Sequence, residues 1–241
     1  MKRWLPMFLA MLAVAGGAAC AQAPANPTVP TIPAAAPAPT PPPAAPVAVP
    51  APPPPIYPDP NRPLVERVAD LVGRMTLAEK IAQLDMAAPA VPRLGIAAYN
   101  WWSEGIRGVS RAGRSTMFPH AVALAATWDP DLVFRVATAV SDEARAKHRE
   151  APTAQYHGLT FWAPAADLAR DPRWGRVMET YGEDPHLVGR MTLAFVRGLQ
   201  GDHPKYLKVA ACVKHFAGHG QETGRHETIF TIAPRPLREF H

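Results

Sequence analysis

A proline-rich segment near the amino terminus limits what this chain can fold into more than any other feature of its sequence. Residues 24–60 contain 17 of the 30 prolines, and each proline fixes its own φ angle and removes a backbone donor. We therefore predict a disordered, extended tether of about 3 Å per residue. A proline-rich ligand for a partner domain is the alternative. The folded domain is left to residues 61–241, which suffice for one hydrophobic core.

The first 23 residues have the pattern of a secretory signal. A short basic start precedes the apolar stretch 4–15, and Ala21-Gln22-Ala23 is a suitable cleavage site. We therefore predict a signal peptide over residues 1–23 and a periplasmic or secreted protein. A lipoprotein signal, with Cys20 carrying a lipid anchor, is the alternative. The apolar stretch is shorter than the roughly 20 residues that cross a bilayer, so no membrane span is expected.

The distribution of charge and the number of cysteines argue against a nucleic-acid-binding protein and against an internal disulfide. The formal net charge is +5, but lysines and arginines form neither a run nor a stripe, so no nucleic-acid partner is expected. After signal cleavage Cys212 is the remaining cysteine of the sequence. It lies inside an apolar run, and we predict a small, buried core residue without a disulfide partner.

Apolar spacing and cap residues predict the main helices of the folded part. The first covers 63–75, where apolar residues recur at helical spacing. The second covers 76–84 and begins with the capping-box sequence Thr76-Leu77-Ala78-Glu79. Two longer helices are expected after Asp129 and Asp184, because each is a good N-cap residue followed by proline.

Short apolar stretches alternate with these helices, and polar residues follow each stretch. Near-continuous apolar strands between helices predict an α/β fold with a parallel sheet covered on both faces. Folds of this class place their sites beyond the carboxyl ends of the strands. Polar and aromatic residues at the three strand ends are Trp101, Trp102 and Glu104; then Asp167, Arg170, Asp171, Arg173, Trp174, Arg176, Glu179 and Glu183; and finally Lys214, His215, His219, Arg225 and His226.

These residue types suit the recognition of a polyol. Charged groups bind hydroxyls strongly and directionally, and flat aromatic rings pack against the apolar faces of sugars. Other interpretations stay open at this point. Arg176 is equally suited to a structural ion pair with Glu179, and Lys214-His215 to the polar end of a strand. A zinc site at His215, His219 and His226 is disfavoured, because the glycines around the first two do not support the regular helix that would place both on one face.

Four longer stretches carry a resemblance to a known family. They read YNWWSEGIRGV, FWAPAADLARDPRWGRVMETYGEDPHLVGRM, AFVRGLQG and KVAACVKHFAGHG. The chain from Leu64 to His241 resembles the N-terminal domain of family 3 glycoside hydrolases, in particular bacterial β-glucosidases and β-xylosidases. The resemblance implies a (β/α)8 TIM-like barrel, which needs about 250 residues, so residues 61–241 would form its incomplete N-terminal portion.

The resemblance also implies a reaction and a set of roles. The family hydrolyses terminal β-linked sugars with retention, using one carboxylate as nucleophile and a second as acid and base. By position, Glu104, Arg176, Lys214 and His215 match residues that bind the sugar of an oligosaccharide or other β-glycoside substrate. No catalytic residue, metal or other cofactor is assigned to this sequence.

Departures from the family pattern matter as much as the matches. The family nucleophile is an aspartate on a later barrel strand and the acid/base is usually a glutamate of a second domain. Neither has a counterpart here, so we expect these 241 residues not to hydrolyse glycosides by themselves, and a non-catalytic carbohydrate- or partner-binding role is an alternative. One further departure is Arg107, which occupies a position where members of this branch of the family often have histidine. The β-N-acetylhexosaminidase branch is a further alternative, although Gly224 replaces the aspartate that would support His226.

Overall fold

The computed structural model describes residues 53–240. The predicted signal peptide and residues 24–52 of the predicted tether lie outside this range. The last part of the tether segment is described, and it contacts the helical part. The backbone amides of Ile56 and Tyr57 donate to the carboxylate of Asp70, and the Tyr57 hydroxyl donates to the Leu94 carbonyl over 2.6 Å.

Helices and short strands alternate along the described chain. The helices are α1 Leu64–Arg74, α2 Leu77–Ala82, α3 Ala121–Ala125, α4 Pro130–Glu150, α5 Pro185–Gln200 and α6 Pro234–Phe240. The strands are β1 Ala87–Ala88, β2 Tyr99–Asn100, β3 Thr160–Phe161 and β4 Ala210–Ala211, and single 3₁₀ turns cover Pro92–Leu94 and Val177–Glu179. None of the helices in residues 53–240 is long and apolar enough to cross a membrane.

The helix starts confirm the predicted caps. Thr76 accepts a hydrogen bond from the Glu79 amide while the Glu79 carboxylate accepts one from the Thr76 amide, a complete capping box. Asp129 accepts from the Leu132 amide over 2.9 Å at the start of α4. Asp184 caps α5 in the same way over 2.7 Å. In α4 and α5 a proline follows the cap, where its missing N–H leaves no donor unsatisfied.

The central strands run parallel, as predicted. Phe161 of β3 is the partner of Ala211 in β4, and on its other side it forms a parallel bridge to Ser103. Three apolar segments therefore lie side by side and end at the same edge. The pair β1–β2 differs from the prediction because it is antiparallel, with Ala87 opposite Asn100. The chain turns back on itself through the 3₁₀ turn at 92–94, and this short return permits antiparallel pairing.

The core lies between the parallel strands and the helices α4 and α5. Phe161, Met191, Phe195, Leu199 and Val209 are each at most 1% exposed. Burying a large apolar side chain contributes about 1.5–3 kcal/mol, so this layer holds the strands against the helix pair.

Two apolar regions are exposed, against expectation. The prediction that Cys212 is buried is wrong, because Cys212 lies just beyond β4 and is exposed. In α1 the apolar residues have the predicted helical spacing, yet none of the residues in that helix is buried. Leu64 and Val65 are 71% and 75% exposed.

Gly198 allows α4 and α5 to approach closely. A Cβ atom at this position would lie 2.4 Å from the Phe134 carbonyl oxygen and 2.7 Å from the Ala137 Cβ. The Ser141 hydroxyl also donates to the Gly198 carbonyl over 3.2 Å, which ties the two helices together.

We predict that Gly198→Ala destabilises the fold by about 1–3 kcal/mol, because the added methyl group overpacks this contact. Gly189→Ala in the same helix is the matched control, since a Cβ there meets nothing within 4 Å. In the control, the free energy of unfolding is expected to rise by up to about 1 kcal/mol, because alanine has a higher helix propensity than glycine. Urea unfolding followed by circular dichroism measures both changes. Equal stability of the two variants would contradict this account of the helix contact.

Candidate functional site

A cleft opens where the three parallel segments end. It has a volume of about 530 Å³, within the range of small-ligand sites. All four residues predicted to bind substrate, Glu104, Arg176, Lys214 and His215, lie on its walls. The other lining residues are Trp102, Ile106, Arg107, Ser110, Arg111, His120, Trp162, Glu179, Glu222 and Arg225.

Glu104 and Lys214 come from opposite outer segments and meet in the cleft. The Lys214 ammonium lies 3.4 Å from Glu104 Oε2, and the Lys214 side chain is only 10% exposed. The indole N–H of Trp102 donates to Glu104 Oε1 over 2.9 Å. An ammonium group has three donors, so Lys214 retains donors for a ligand while its charge is balanced by Glu104.

His215 is oriented by a buried carboxylate. Asp167 Oδ2 lies 2.8 Å from His215 Nδ1, and the Asp167 side chain is 3% exposed. The same carboxylate accepts from the His215 backbone amide at 3.2 Å. With Nδ1–H bound to Asp167, Nε2 is left as the ring nitrogen that can contact a ligand. Asp167 follows the second strand but had no sequence signal beyond that position.

Arg176 is held by an ion pair and also lines the cleft, so both interpretations of its role apply. Its Nε and Nη2 donate to the two Glu179 oxygens over 2.8 and 2.6 Å. This hydrogen-bonded pair raises the pKa of Arg176 above its usual value. Burial by itself would raise the pKa of Glu179, but Arg176 outweighs it and the net pKa is lowered. Glu179 thus occupies the Nε and Nη2 donors of the Arg176 guanidinium, and Nη1 is left for other partners.

Glu222 links the loop of residues 215–226 to the loop of residues 166–176, and the sequence analysis did not single it out. Its carboxylate lies 2.6 Å from His219 Nε2 and 3.1 Å from an Arg225 nitrogen. It also lies 3.6 Å from Arg176 Nη1. Burial would raise the pKa of Glu222, but the bond from His219 and the charges of the two arginines lower it overall. The surrounding sequence, QETGR, predicts no more than a loop. Only the tertiary contacts show that Glu222 joins His219 and Arg225 to Arg176.

His226 does not form the pair that the β-N-acetylhexosaminidase branch would require. Its Nε2 accepts from Arg225 Nε over 3.3 Å, and among residues 53–240 no carboxylate pairs with it. The described part of the chain also has no cluster of three or more histidine, cysteine, aspartate or glutamate side chains suited to a metal ion.

Aromatic rings form one wall of the cleft. Trp102 and Trp162 stack with their centroids 5.4 Å apart and an angle of 23° between planes. The edge of Tyr156 meets Trp102 at 5.5 Å. Trp102 was a sequence candidate, whereas Trp162 was overlooked because it stands within an apolar strand-like run, where a tryptophan reads as core.

Several other candidates lie outside the cleft. Asp171 and Arg173 pair with each other on the surface over 2.6 Å, and the hydrogen bond from Arg173 lowers the pKa of Asp171 to about 2. Trp174 is buried and packs edge-on against the His219 ring. Trp101, Asp167, Arg170, Glu183, His219 and His226 are also absent from the lining.

Comparison with known proteins identifies the family. The model of the glycosyl hydrolase family 3 N-terminal domain matches residues 92–241. The chain is 43% identical over 174 residues to probable beta-D-xylosidase 7 of Arabidopsis thaliana, covering 65% of this chain and 22% of that protein. It is 42% identical over 183 residues to xylan 1,4-beta-xylosidase of Xylanibacter ruminicola, covering 73% and 21%. The chain thus spans about a fifth of the length of these relatives.

A solved structure agrees with the sequence relatives. The β-glucosidase DesR of Streptomyces venezuelae, in complex with D-glucose, superposes with a TM-score of 0.59 at 30% identity, covering 72% of this chain and 22% of that one. Since the family model covers well over half of the residues, the chain belongs to glycosyl hydrolase family 3 and contains sequence of that family's N-terminal domain.

Proposed function

We propose that the cleft binds the terminal sugar of β-linked xylosyl or glucosyl substrates as part of a β-glycosidase active site. The observation that carries this proposal is the convergence of Glu104, Arg176, Lys214 and His215 from three strand ends onto one cleft. Relatives that are xylosidases and glucosidases support it. An incomplete (β/α)8 barrel and an exported location belong to the same proposal, the latter resting on the N-terminal sequence.

The chemistry of the cleft suits a sugar ring. Glu104 accepts hydrogen bonds from hydroxyls, and Lys214 and Arg176 donate them with a full positive charge. The charges of Lys214 and Arg176 are already balanced by Glu104 and Glu179. A neutral sugar therefore binds beside them without leaving either charge unpaired. The paired rings of Trp102 and Trp162 offer a flat surface to its apolar face.

The described residues are better suited to binding than to bond cleavage. A general acid needs a raised pKa at neutral pH, whereas the pKa values of Glu179 and Glu222 are lowered. A nucleophile needs a free carboxylate oxygen, whereas both oxygens of Glu179 are bound by Arg176 and those of Glu222 by His219 and Arg225. Glu104 is held between Trp102 and Lys214. We therefore assign to this chain the orientation of the sugar. Hydroxyl contacts of this kind strengthen in the transition state of glycoside hydrolysis, so they would also accelerate the reaction.

A non-catalytic sugar-binding role is the second candidate. It is favoured by one observation, that Glu104, Glu179 and Glu222, the carboxylates of the cleft, each have a cationic partner. Turnover of aryl β-xylosides and β-glucosides by the protein purified from its source separates the two. Hydrolysis of either supports the glycosidase, sugar binding without hydrolysis supports the second candidate, and absence of both refutes the proposed site.

We predict that Lys214→Met weakens xylose or glucose binding to this chain at least tenfold. A hydrogen bond to a charged group contributes about 1.5–3 kcal/mol, and about 1.4 kcal/mol corresponds to tenfold. Lys208→Met is the control, because Lys208 pairs with Asp142 over 2.6 Å and does not line the cleft. Titration calorimetry measures both. Equal weakening by the two variants would show that the effect is not local.

Asp167→Asn tests the orientation of His215. We predict about tenfold weaker sugar binding, because the amide offers no charge to the two N–H groups that Asp167 now binds. Asp171→Asn in the same loop is the control, since within the described part of the chain the Asp171 carboxylate pairs with Arg173 alone, at the surface. Calorimetry gives the affinities and circular dichroism verifies folding. A folded Asp167→Asn variant with the affinity of its control would refute the orienting role.

A further inference from the structure

Two arginines that follow the first strand end, Arg107 and Arg111, line the cleft, and neither has a carboxylate partner within residues 53–240. The lining contains five lysine and arginine side chains but only three carboxylates. Lys214 pairs with Glu104, Arg176 with Glu179, and Arg225 with Glu222. Within the described residues, Arg107 and Arg111 have no carboxylate within ion-pair distance.

Arg111 is held in place by aromatic rings. Its guanidinium lies 5.5 Å from the centroid of Trp102 and 5.3 Å from that of Tyr156. Its Nη1 donates to the Tyr156 hydroxyl over 3.2 Å, which leaves its other donors open. The preceding residue, Ser110, forms an antiparallel bridge with Glu104. Arg111 therefore follows directly on the segment that pairs with Glu104, and the Glu104 charge acts on it from beyond ion-pair distance.

The backbone of Arg111 supports a role in binding. Its φ angle is 63°, a left-handed conformation that is unfavourable for a residue with a side chain. Strained residues of this kind concentrate at functional sites. The conformation is consistent with a loop that presents this side chain to the cleft, next to the stacked pair of Trp102 and Trp162.

Arg107 is half-buried, and within the described residues its side-chain partners are His120 and Met117. Its Nη1 lies 2.7 Å from His120 Nε2, which accepts a hydrogen bond only when that ring nitrogen carries no proton. Its Nη2 contacts the Met117 sulfur. Neither partner balances the guanidinium charge. A partly buried cation without a counter-ion is costly, so an anionic ligand gains more here than at an open surface.

We propose that Arg107 and Arg111 form an anion-binding subsite for a carboxylate on the leaving group of the glycoside. Arginine binds carboxylates in a planar, bidentate manner. The neighbouring Trp102 ring suits a leaving group that is itself a ring. The carboxylate then comes from a uronic acid or from an aromatic acid. This proposal rests on the proposed function, since it places the subsite beside the sugar-binding groups.

Calorimetry on the 241-residue chain tests the proposal with two matched probes. They are 4-carboxyphenyl β-xyloside and the neutral 4-carbamoylphenyl β-xyloside. We expect the carboxylate probe to bind roughly fivefold tighter at low salt, the upper range for exposed charge pairs, with a smaller preference at high salt. A xyloside whose leaving group is glucuronic acid, measured in parallel, shows which source of carboxylate binds more tightly.

Variants separate the subsite from the net charge of the chain. Arg111 is exposed, so Arg111→Gln is expected to fold and to lose part of the preference for the carboxylate probe, while Arg107 retains the rest. Arg114→Gln is the control, because Arg114 is exposed in the same loop and does not line the cleft. It should keep the fivefold preference. Arg107→Gln, verified by circular dichroism, should also reduce the preference.

Each outcome decides between the two proposals. If neither probe binds the unchanged chain, the proposed function fails. If both bind equally well, sugar binding stands and the anion subsite is wrong. The subsite is also wrong if the folded Arg111→Gln and Arg107→Gln variants keep the full preference for the carboxylate probe. It is equally wrong if the control Arg114→Gln loses that preference.

Discussion

Parallel pairing of three short segments is the constraint on which the cleft depends. The Trp162 amide donates to the Ser103 carbonyl and the Cys212 amide to the Phe161 carbonyl, both over 2.8 Å. The Lys214 amide continues the ladder to the Pro164 carbonyl over 3.0 Å. These few bonds fix the register, and a slip by one residue would turn Lys214 away from Glu104. The strands are short, so their register also relies on the packing of α4 and α5 against Phe161.

Ion pairs hold the side chains of the cleft in place, in addition to the backbone hydrogen bonds. Lys214, Arg176 and His215 are each held from one side by a carboxylate and keep further donor or acceptor atoms toward the cavity. Such pairing removes the freedom of long side chains before a ligand arrives, which lowers the entropic cost of binding. Arg107 and Arg111 depart from this pattern. This difference divides the cleft into a balanced part that suits a neutral sugar and a cationic part that suits an anion.

Local signals in the sequence predicted the parts of the fold that depend on neighbours along the chain. The capping box at Thr76, the aspartate–proline starts of α4 and α5, and the helix of residues 64–74 are all present. The family motifs predicted four of the residues that line the cleft, Glu104, Arg176, Lys214 and His215. The same signals failed where burial depends on distant segments, as with Cys212, which lies in an apolar run and is exposed. They also missed Trp162, whose apolar neighbours indicated core.

By itself, the sequence determined helices α1, α2, α4 and α5, the caps of the last three, the parallel pairing of the central strands and the four residues now found on one cleft. These features follow from side-chain spacing, from hydrogen bonds within three or four residues, and from motifs shared with the family. Only the tertiary structure decided which charges are partners. Asp167 orients His215, Glu222 joins His219 to Arg176, and Arg111 lies over Trp102. These contacts join separate loops, and their geometry depends on strand register and helix packing, which no local pattern encodes.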